Sequence, residues 1–189
     1  MGEAAMNVMD MIQNYKPRNE QEVKDKEQML QFMQFHDNYL DRNNLIGHVT
    51  VSIWTVNQER TKTLMVYHNL YDSWSWIGGH ADGCKDLREV ALKELREETG
   101  VQSARLISEE IFSLETLAVD GHVKKGAWVP SHLHFNITFF AEADENESLF
   151  VKEDENSAVR WWTFEEALCV SKEPWFVEHI YKKLMERSR

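Results

Sequence analysis

Alternating apolar and polar positions predict several β-strands along the middle of the chain. The run HVTVSIWTV at 48–56 alternates and is rich in β-branched residues, which is typical of a strand. The run KTLMVYHN at 62–69 follows across the polar turn NQERT and is its predicted partner. Further predicted strands occupy 74–77, 104–119, 131–143 and 158–164. Together these segments predict a β-sheet.

A different period, with apolar residues three and four positions apart, predicts helices around these strands. The clearest covers 85–99 and ends at Gly100, a residue that suits the turn after a helix. Its apolar stripe consists of Leu87, Val90, Ala91 and Leu95. Other predicted helices cover 19–44, 163–170 and 174–187, the last opened by Pro174. Strands and helices that alternate without regular βαβ spacing indicate an α+β protein with a mixed sheet between helices.

The helix predicted at 19–44 is amphipathic and precedes the first strand. Its apolar face must be buried, and the pattern leaves open whether it packs on the rest of the chain or across a homodimer. We therefore predict a helical extension at 1–44, with residues 1–19 of uncertain order, followed by a single domain at 45–189.

The charge of the chain limits its partners. A formal net charge of -11 over 189 residues argues against binding to nucleic acid or to an anionic membrane. No apolar run approaches the roughly 18 residues of a membrane-spanning helix. The two cysteines, Cys84 and Cys169, form no CxxC pair, which favours a reducing, cytoplasmic setting. A phosphate-containing substrate would need a bridging cation to approach so acidic a protein.

The stretch GGHADGCKDLREVALKELREETGV at 78–101 places carboxylates where a helix disfavours them. Glu94, Glu97 and Glu98 lie three and four positions apart and therefore share one face. Negative charge near a helix C-terminus costs ~0.3–1 kcal/mol per residue, and the three carboxylates also repel one another. A divalent cation would offset both effects, because Mg²⁺ prefers carboxylate, carbonyl and water oxygens. The alternative is a solvated acidic face, which is common on surface helices.

The same stretch resembles the signature of the Nudix hydrolases. That signature reads Gly, five residues, Glu, seven residues, then Arg-Glu-apolar-any-Glu-Glu-any-Gly-apolar. The positions in register here are Gly79, Glu94, Leu95, Glu97, Glu98, Gly100 and Val101. The resemblance covers about 45–185 and implies an α/β/α sandwich with a mixed β-sheet. It also implies Mg²⁺-dependent hydrolysis, with Mn²⁺ as an alternative cation, of a diphosphate linkage in a small-molecule nucleoside diphosphate derivative, by water attack on phosphorus.

The resemblance implies metal-binding and catalytic roles for the signature residues. Glu97 and Glu98 would bind metal through their carboxylates, and the Gly79 carbonyl would add a ligand. Glu94 would bind metal or orient the attacking water.

A further acidic residue is implied downstream, in the run EDENSAVRW at 153–161. Glu155 matches the position that supplies one more metal ligand or the general base, and its neighbours Glu153 and Asp154 compete for that role. The sequence leaves open whether Glu155 or one of the signature glutamates is the base.

Two positions depart from the Nudix signature. Lys85 stands in place of a Glu, and Lys93 in place of an Arg that helps to position acidic side chains in the family. Ion pairs of Lys85 with Glu89 and of Glu89 with Lys93, each four residues apart, would partly substitute, although Lys lacks the planar fork of Arg. These departures leave open the alternative hypothesis that the chain is a catalytically weak Nudix domain that senses a nucleotide. A prenyl-diphosphate isomerase on the same fold is a third hypothesis, for which neither cysteine looks well placed.

Residues beside the signature are predicted to contact substrate. His80 directly follows the double glycine, and Tyr67, Trp74 and Trp76 precede it. Aromatic faces can stack on a nucleobase, but these side chains could equally belong to the core, since the chain has seven tryptophans.

Two further histidines, His132 and His134, alternate in a predicted strand and so face the same way. They could form a transition-metal pair. Because no third ligand is apparent from the sequence, hydrogen-bonded, partly buried histidines are the favoured interpretation.

Overall fold

The structure is a computed structural model that describes residues 7–124 and 126–189. Its helices are α1 (Val8–Asn14), α2 (Glu20–Phe35), α3 (Leu87–Thr99), α4 (Phe164–Val170), α5 (Pro174–Phe176), a π-helical segment (Val177–Tyr181) and α6 (Lys182–Ser188). Its strands are β1 (Gly47–Val56), β2 (Lys62–His68), β3 (Ser73–Ser75), β4 (Ile77–His80), β5 (Arg105–Leu106), β6 (Ser113–Val119), β7 (His122–Lys124), β8 (Ala127–Val129), β9 (His132–Glu142) and β10 (Asn156–Thr163). Residues 1–6 of the predicted extension lie outside the described residues.

Hydrogen bonds join eight strands of the described chain into one sheet. The order along its main path is β10, β2, β1, β9, β5, while β3 pairs with β2, β4 with β1, and β6 with β9. Strands β7 and β8 form a separate hairpin. The predicted α+β class with a mixed sheet is confirmed.

The described chain forms two compact units. The first comprises the described residues of Met1–Ser52, Gly79–Val90 and Glu109–Phe139. The second comprises Ile53–Gly78, Ala91–Ser108 and Phe140–Arg189.

In the first unit, helix α2 packs on strand β6. Asn19 caps the helix, because its side chain accepts a hydrogen bond from the Glu22 N–H at 2.8 Å. Glu22 is itself fully buried, and it accepts hydrogen bonds from the Tyr15 hydroxyl at 2.8 Å and the Ser113 hydroxyl at 3.0 Å. Helix α1, which contains the buried Ile12, packs against α2. The apolar face of α2 is therefore covered within the same chain.

In the second unit, β2 pairs with both β10 and β3. Trp54 of β1 is fully buried, stacks on Tyr181 with ring centroids 5.9 Å apart, and donates from Nε1 to the Ser188 hydroxyl at 3.0 Å. These contacts attach the C-terminal helices to the sheet of this unit.

Several predicted elements are longer than those observed. The helix predicted at 19–44 ends at Phe35, and the strand predicted at 104–119 splits into β5 and β6. The interruption contains the polar run Ser108-Glu109-Glu110, which is suited to solvent rather than to a sheet. The last predicted helix, at 174–187, includes the π-helical segment. Helix α1 lies where uncertain order was predicted.

Within the described ranges, the search for a helix long and apolar enough to cross a membrane finds none.

Candidate active site

Helix α3 carries the acidic residues of the site, and its two ends are set by local interactions. The Asp86 carboxylate accepts hydrogen bonds from the N–H groups of Arg88 at 3.2 Å and Glu89 at 3.3 Å, so the helix begins at Leu87. The helix ends before Gly100, whose φ of 77° is accessible mainly to glycine. A Cβ added there would lie 2.8 Å from the Phe150 Cβ. The predicted apolar stripe of the helix is buried.

Glu98 is the most enclosed of the three signature carboxylates, with only 4% of its surface exposed. Its Oε1 accepts from the Gly78 N–H at 3.3 Å, and its Oε2 accepts from the Asn156 amide at 2.9 Å. Burial raises the pKa of Glu98 to about 8, and these two hydrogen bonds oppose the shift. The site therefore holds a carboxylate in place while disfavouring its charge.

Other carboxylates lie within electrostatic reach of Glu98. Burial raises the pKa of Glu94, and the charges of Glu97 and Glu155 raise it further, whereas Lys93 and Lys152 lower it. The charges of Glu94 and Glu155 also contribute to the raised pKa of Glu98. A divalent cation would relieve this repulsion, and the donors are the hard oxygen ligands that Mg²⁺ or Mn²⁺ favours. The residues present therefore fit such a cation.

Glu97 is exposed and forms an ion pair with Lys93, with Nζ and Oε1 3.6 Å apart. Lys93 thus contacts an acidic signature residue at i+4, rather than the partner Glu89 predicted from the sequence. An exposed pair of this kind contributes little to stability.

Glu155 lies in the loop before β10. Its carboxylate accepts from the Lys152 ammonium at 2.8 Å, and its carbonyl accepts from the Asn69 N–H at 3.0 Å. The loop is therefore attached to the residue that follows β2, and Glu155 is oriented by a cation.

Asn156 was not identified from the sequence. It is almost fully buried, it holds Glu98 through its amide, and its Oδ1 has no hydrogen-bond partner among the described residues. The available signal was its position directly after Glu155, at the start of a strand.

Gly79 lies in β4, and the preceding residue Gly78 donates to Glu98. The metal-binding role of the Gly79 carbonyl stays a prediction.

The aromatic residues predicted to contact substrate occupy two environments in the second unit. Tyr67 and Trp74 meet edge to face with centroids 5.6 Å apart, and Trp74 meets Trp162 in the same way at 5.1 Å. Trp76 is 9% exposed and packs against Tyr181. Stacking on a substrate base stays a prediction for all three, and the enclosure of Trp76 favours a core role.

In the first unit, His80 belongs to a group with His48, His132 and His134, of which His48 was not considered from the sequence. The ring centroids of His80 are 5.1 Å from those of both His48 and His134, and His132 lies 4.9 Å from His134. The pKa of His48 is lowered, that of His80 to about 3 and that of His134 to about 2, mainly by burial and in part by the neighbouring rings. The neutral form is therefore favoured for His48, His80 and His134.

Comparisons with known proteins agree with the signature. A family model described as NUDIX domain matches residues 47–186. The chain is 55% identical over 38 residues to "Nudix hydrolase 27, chloroplastic" of Arabidopsis thaliana, a match covering 20% of this chain and 17% of that protein. The chain thus matches less than a fifth of the length of this curated relative.

Solved structures share the fold at low sequence identity. A NUDIX-family hydrolase from Clostridium perfringens is 19% identical, with a TM-score of 0.52 over 72% of this chain and 95% of that one. A C. elegans Ap4A hydrolase is 13% identical, with a TM-score of 0.52 over 73% and 93%. The E. coli dihydroneopterin triphosphate pyrophosphohydrolase is 14% identical, with a TM-score of 0.55 over 73% and 95%.

Proposed function

The chain belongs to the Nudix hydrolase family, and on that premise we propose that it performs Mg²⁺-dependent cleavage of a diphosphate linkage in a nucleoside diphosphate derivative. Hydrolysis of a small-molecule diphosphate with a divalent cation follows from membership of the family. The observation that carries the finer proposal is the group of carboxylates around the buried Glu98, in a protein of net charge -11.

The proposed ligands of the cation are Glu94, Glu97 and Glu98. The cation supplies charge neutralisation at the phosphoryl oxygens and a lower pKa for the attacking water. Asn156 and the Gly78 N–H hold the two oxygens of Glu98 in fixed positions. Lys93 restrains Glu97 at the more exposed end of the set. Such supporting contacts determine how precisely a ligand is oriented.

Glu155 is the proposed general base. It accepts a proton from the water as the water oxygen bonds to phosphorus, and the P–O bond of the diphosphate linkage breaks. Lys152 orients its carboxylate, and attachment of the loop to Asn69 fixes its position in the chain. A base on a loop beside a rigid sheet is a common arrangement.

One structural neighbour supports the nucleoside part of the proposed substrate, because it is an Ap4A hydrolase. Tyr67 and Trp74 present aromatic rings that could receive a base. The proposal therefore names the substrate class and no particular compound.

The test is a hydrolysis screen over nucleoside diphosphate sugars, dinucleoside polyphosphates, dinucleotides and nucleoside triphosphates. The protein is first stripped with a chelator, and each cation is then added back. We expect Mg²⁺ or Mn²⁺ to restore turnover, and Ca²⁺ and Zn²⁺ to support little, because the proposed oxygen ligands suit a cation with strict octahedral geometry.

Full activity in excess chelator would contradict the proposal. A different outcome is tight nucleotide binding without turnover of any compound at saturating Mg²⁺. That result would favour the alternative function, a nucleotide sensor, for which the departures at Lys85 and Lys93 are the supporting observation.

A further inference from the structure

Neighbouring strands of the first unit bring a group of histidines together. His48 lies in β1, His80 in β4, and His132 and His134 in β9. Strand β1 is paired with both β4 and β9, so its histidine lies between the other two strands. One ring nitrogen from each of His48, His80 and His134 can be chosen so that all three lie within 4.8 Å of one another.

The spacing of the rings is that of metal ligands. The centroids of His48, His80 and His134 lie 5.0–5.1 Å apart in all three pairs. In a tetrahedral site with Zn–N bonds of about 2.1 Å, neighbouring imidazole centroids also lie about 5 Å apart. Small rotations of the side chains would bring the three nitrogens from their present separation to the roughly 3.4 Å expected around one ion.

His48 presents a lone pair that none of the described residues uses. His48 is 3% exposed, and its Nδ1–H donates a hydrogen bond to the carbonyl oxygen of Asn44 at 3.1 Å. In a neutral ring this leaves Nε2 as an acceptor. That atom is buried and has no hydrogen-bond partner in the described ranges. A buried polar atom without a partner destabilises the folded protein, and a bound cation would remove that cost.

The backbone around His48 holds the ring in this position. Asn44, whose carbonyl accepts this hydrogen bond, is buried, and its side-chain amide donates to the Asn38 side chain at 3.0 Å. A Cβ at Gly47 would lie 2.8 Å from the Phe135 ring, so β1 approaches β9 closely at this point. A carbonyl that orients the second nitrogen of a histidine is the usual outer partner of a metal ligand.

His134 is oriented by a similar chain of contacts. His132 donates from Nδ1 to the Pro130 carbonyl oxygen at 2.9 Å, and its Nε2 lies 3.1 Å from the Nε2 of His134. A positive charge on His134 is disfavoured by burial and by the neighbouring rings, so its neutral form is favoured. Neutral imidazole is the form that binds metals.

We propose that His48, His80 and His134 bind one first-row transition cation, of which Zn²⁺ is the representative, through one nitrogen each. Imidazole nitrogen suits Zn²⁺, whereas Mg²⁺ prefers oxygen, so this donor set selects a different cation from the carboxylates of α3. The ion joins β4, β1 and β9 and leaves one position for water or an anion. His80 then binds metal rather than substrate.

The test is a titration of the full-length, chelator-stripped protein with Co²⁺ in the presence of excess Mg²⁺. We expect one equivalent to bind, with the intense visible absorption of tetrahedral Co²⁺, and to be displaced by Zn²⁺. His48→Gln and His134→Gln should each weaken binding at least about 100-fold, the upper end of what loss of an outer partner causes. His80→Gln, at a half-buried position, gives a third variant if either of the others fails to fold.

Two controls separate this site from the proposed catalytic one. The double variant Glu97→Gln, Glu98→Gln should retain the Co²⁺ spectrum, since it removes only oxygen ligands. His179→Gln, at an exposed histidine of the second unit, should also retain it. No tetrahedral spectrum in the wild-type protein, the same spectrum in the folded histidine variants, or its loss in the double glutamate variant would each overturn the proposal. None of these outcomes depends on hydrolysis, so failure of either proposal is recognisable by itself.

Discussion

At the scale of single residues, Glu98 combines a fixed position with an unfavourable charge. Two hydrogen bonds hold its oxygens, while burial raises its pKa to about 8. Glu97 lies one residue away, is exposed and forms an ion pair with Lys93. The two neighbouring carboxylates therefore differ in environment, although both occupy glutamate positions of the signature.

We predict that Glu97→Gln and Glu98→Gln each lower kcat by at least about 100-fold, because a lost ligand misplaces the cation and the water. Glu89→Gln is the matched control on an exposed position of the same helix, and it should leave kcat nearly unchanged. Steady-state kinetics at saturating Mg²⁺ provide the measurement. Wild-type turnover in both signature variants would contradict the proposal that Glu97 and Glu98 bind the metal.

The same variants should remain folded. In Glu98→Gln the new amide can donate to the Oδ1 of Asn156, which lacks a partner among the described residues. The charge lost at either position is one that the helix dipole opposes. Circular dichroism and thermal denaturation would check that lost activity does not reflect lost structure.

Glu173 offers a test of buried charge away from the site. Burial raises its pKa to about 7, and its Oε2 has no hydrogen-bond partner in the part of the chain that the structure describes. The pKa is higher in the folded protein than in the unfolded one, so folding favours the protonated form. Because of this difference, the free energy of unfolding falls as pH rises from 4.5, the ordinary pKa of the group, through about 7, its pKa in the folded protein.

We therefore predict that Glu173→Gln stabilises the protein by about 1 kcal/mol at pH 8 and has little effect at pH 4.5. This predicted stabilisation is smaller than the full pKa shift would give, because the side chain is partly exposed to solvent. Urea denaturation at the two pH values measures it. Glu165→Gln, at an exposed position on α4, is the control. An equal effect of Glu173→Gln at both pH values would show that burial of its charge is not the cause.

At the scale of elements, short-range signals set where α3 begins and ends, whereas tertiary contacts set the lengths of other elements. Asp86 and Gly100 bound α3 through a cap and a left-handed residue, and both signals are visible in the sequence. Helix α2 stops at Phe35 although its pattern continues. Phe32, near that end, packs on Phe135 of β9 with ring centroids 4.7 Å apart.

The role of the N-terminal helices can be tested by removing them. We propose residues 1–44 as an extension of the family core, and we predict that a chain starting at Leu45 aggregates or loses more than about 3 kcal/mol of stability. The reason is exposure of the apolar surface under α2, where each buried side chain contributes about 1.5–3 kcal/mol. Size-exclusion chromatography and thermal denaturation provide the measurements.

Point variants give a milder version of the same test. Met29→Ala, at a fully buried position of α2, should cost about 2–5 kcal/mol. Val23→Ala, on the same helix but 39% exposed, should cost less than about 0.5 kcal/mol. A soluble, fully active and equally stable chain starting at Leu45 would refute the structural role of the extension.

At the scale of the whole molecule, net charge and metal chemistry are connected. A charge of -11 opposes the approach of a diphosphate, and a cation at the α3 carboxylates would serve both binding and chemistry. The histidines of the first unit offer nitrogen donors to another class of cation. The protein thus presents two donor sets, each matched to a different metal.

The sequence alone determined the family, the α+β class and the helix that carries the signature glutamates. These features depend on spacing along the chain: residues three and four apart share a helix face whatever surrounds them. The same local logic identified Gly100 as the end of α3, whereas the resemblance to the Nudix family pointed to Glu155 as a candidate base.

Only the tertiary structure decided which distant residues meet. The sequence showed His132 and His134 without a third ligand, since His48 and His80 lie on other strands and strand pairing brings them close. It also gave no reason to single out Asn156, whose contact with Glu98 spans 58 residues. Burial raises the pKa of Glu98 above its ordinary value. How deeply Glu98 is buried depends on every element packed around it, so no local sequence pattern predicts this shift.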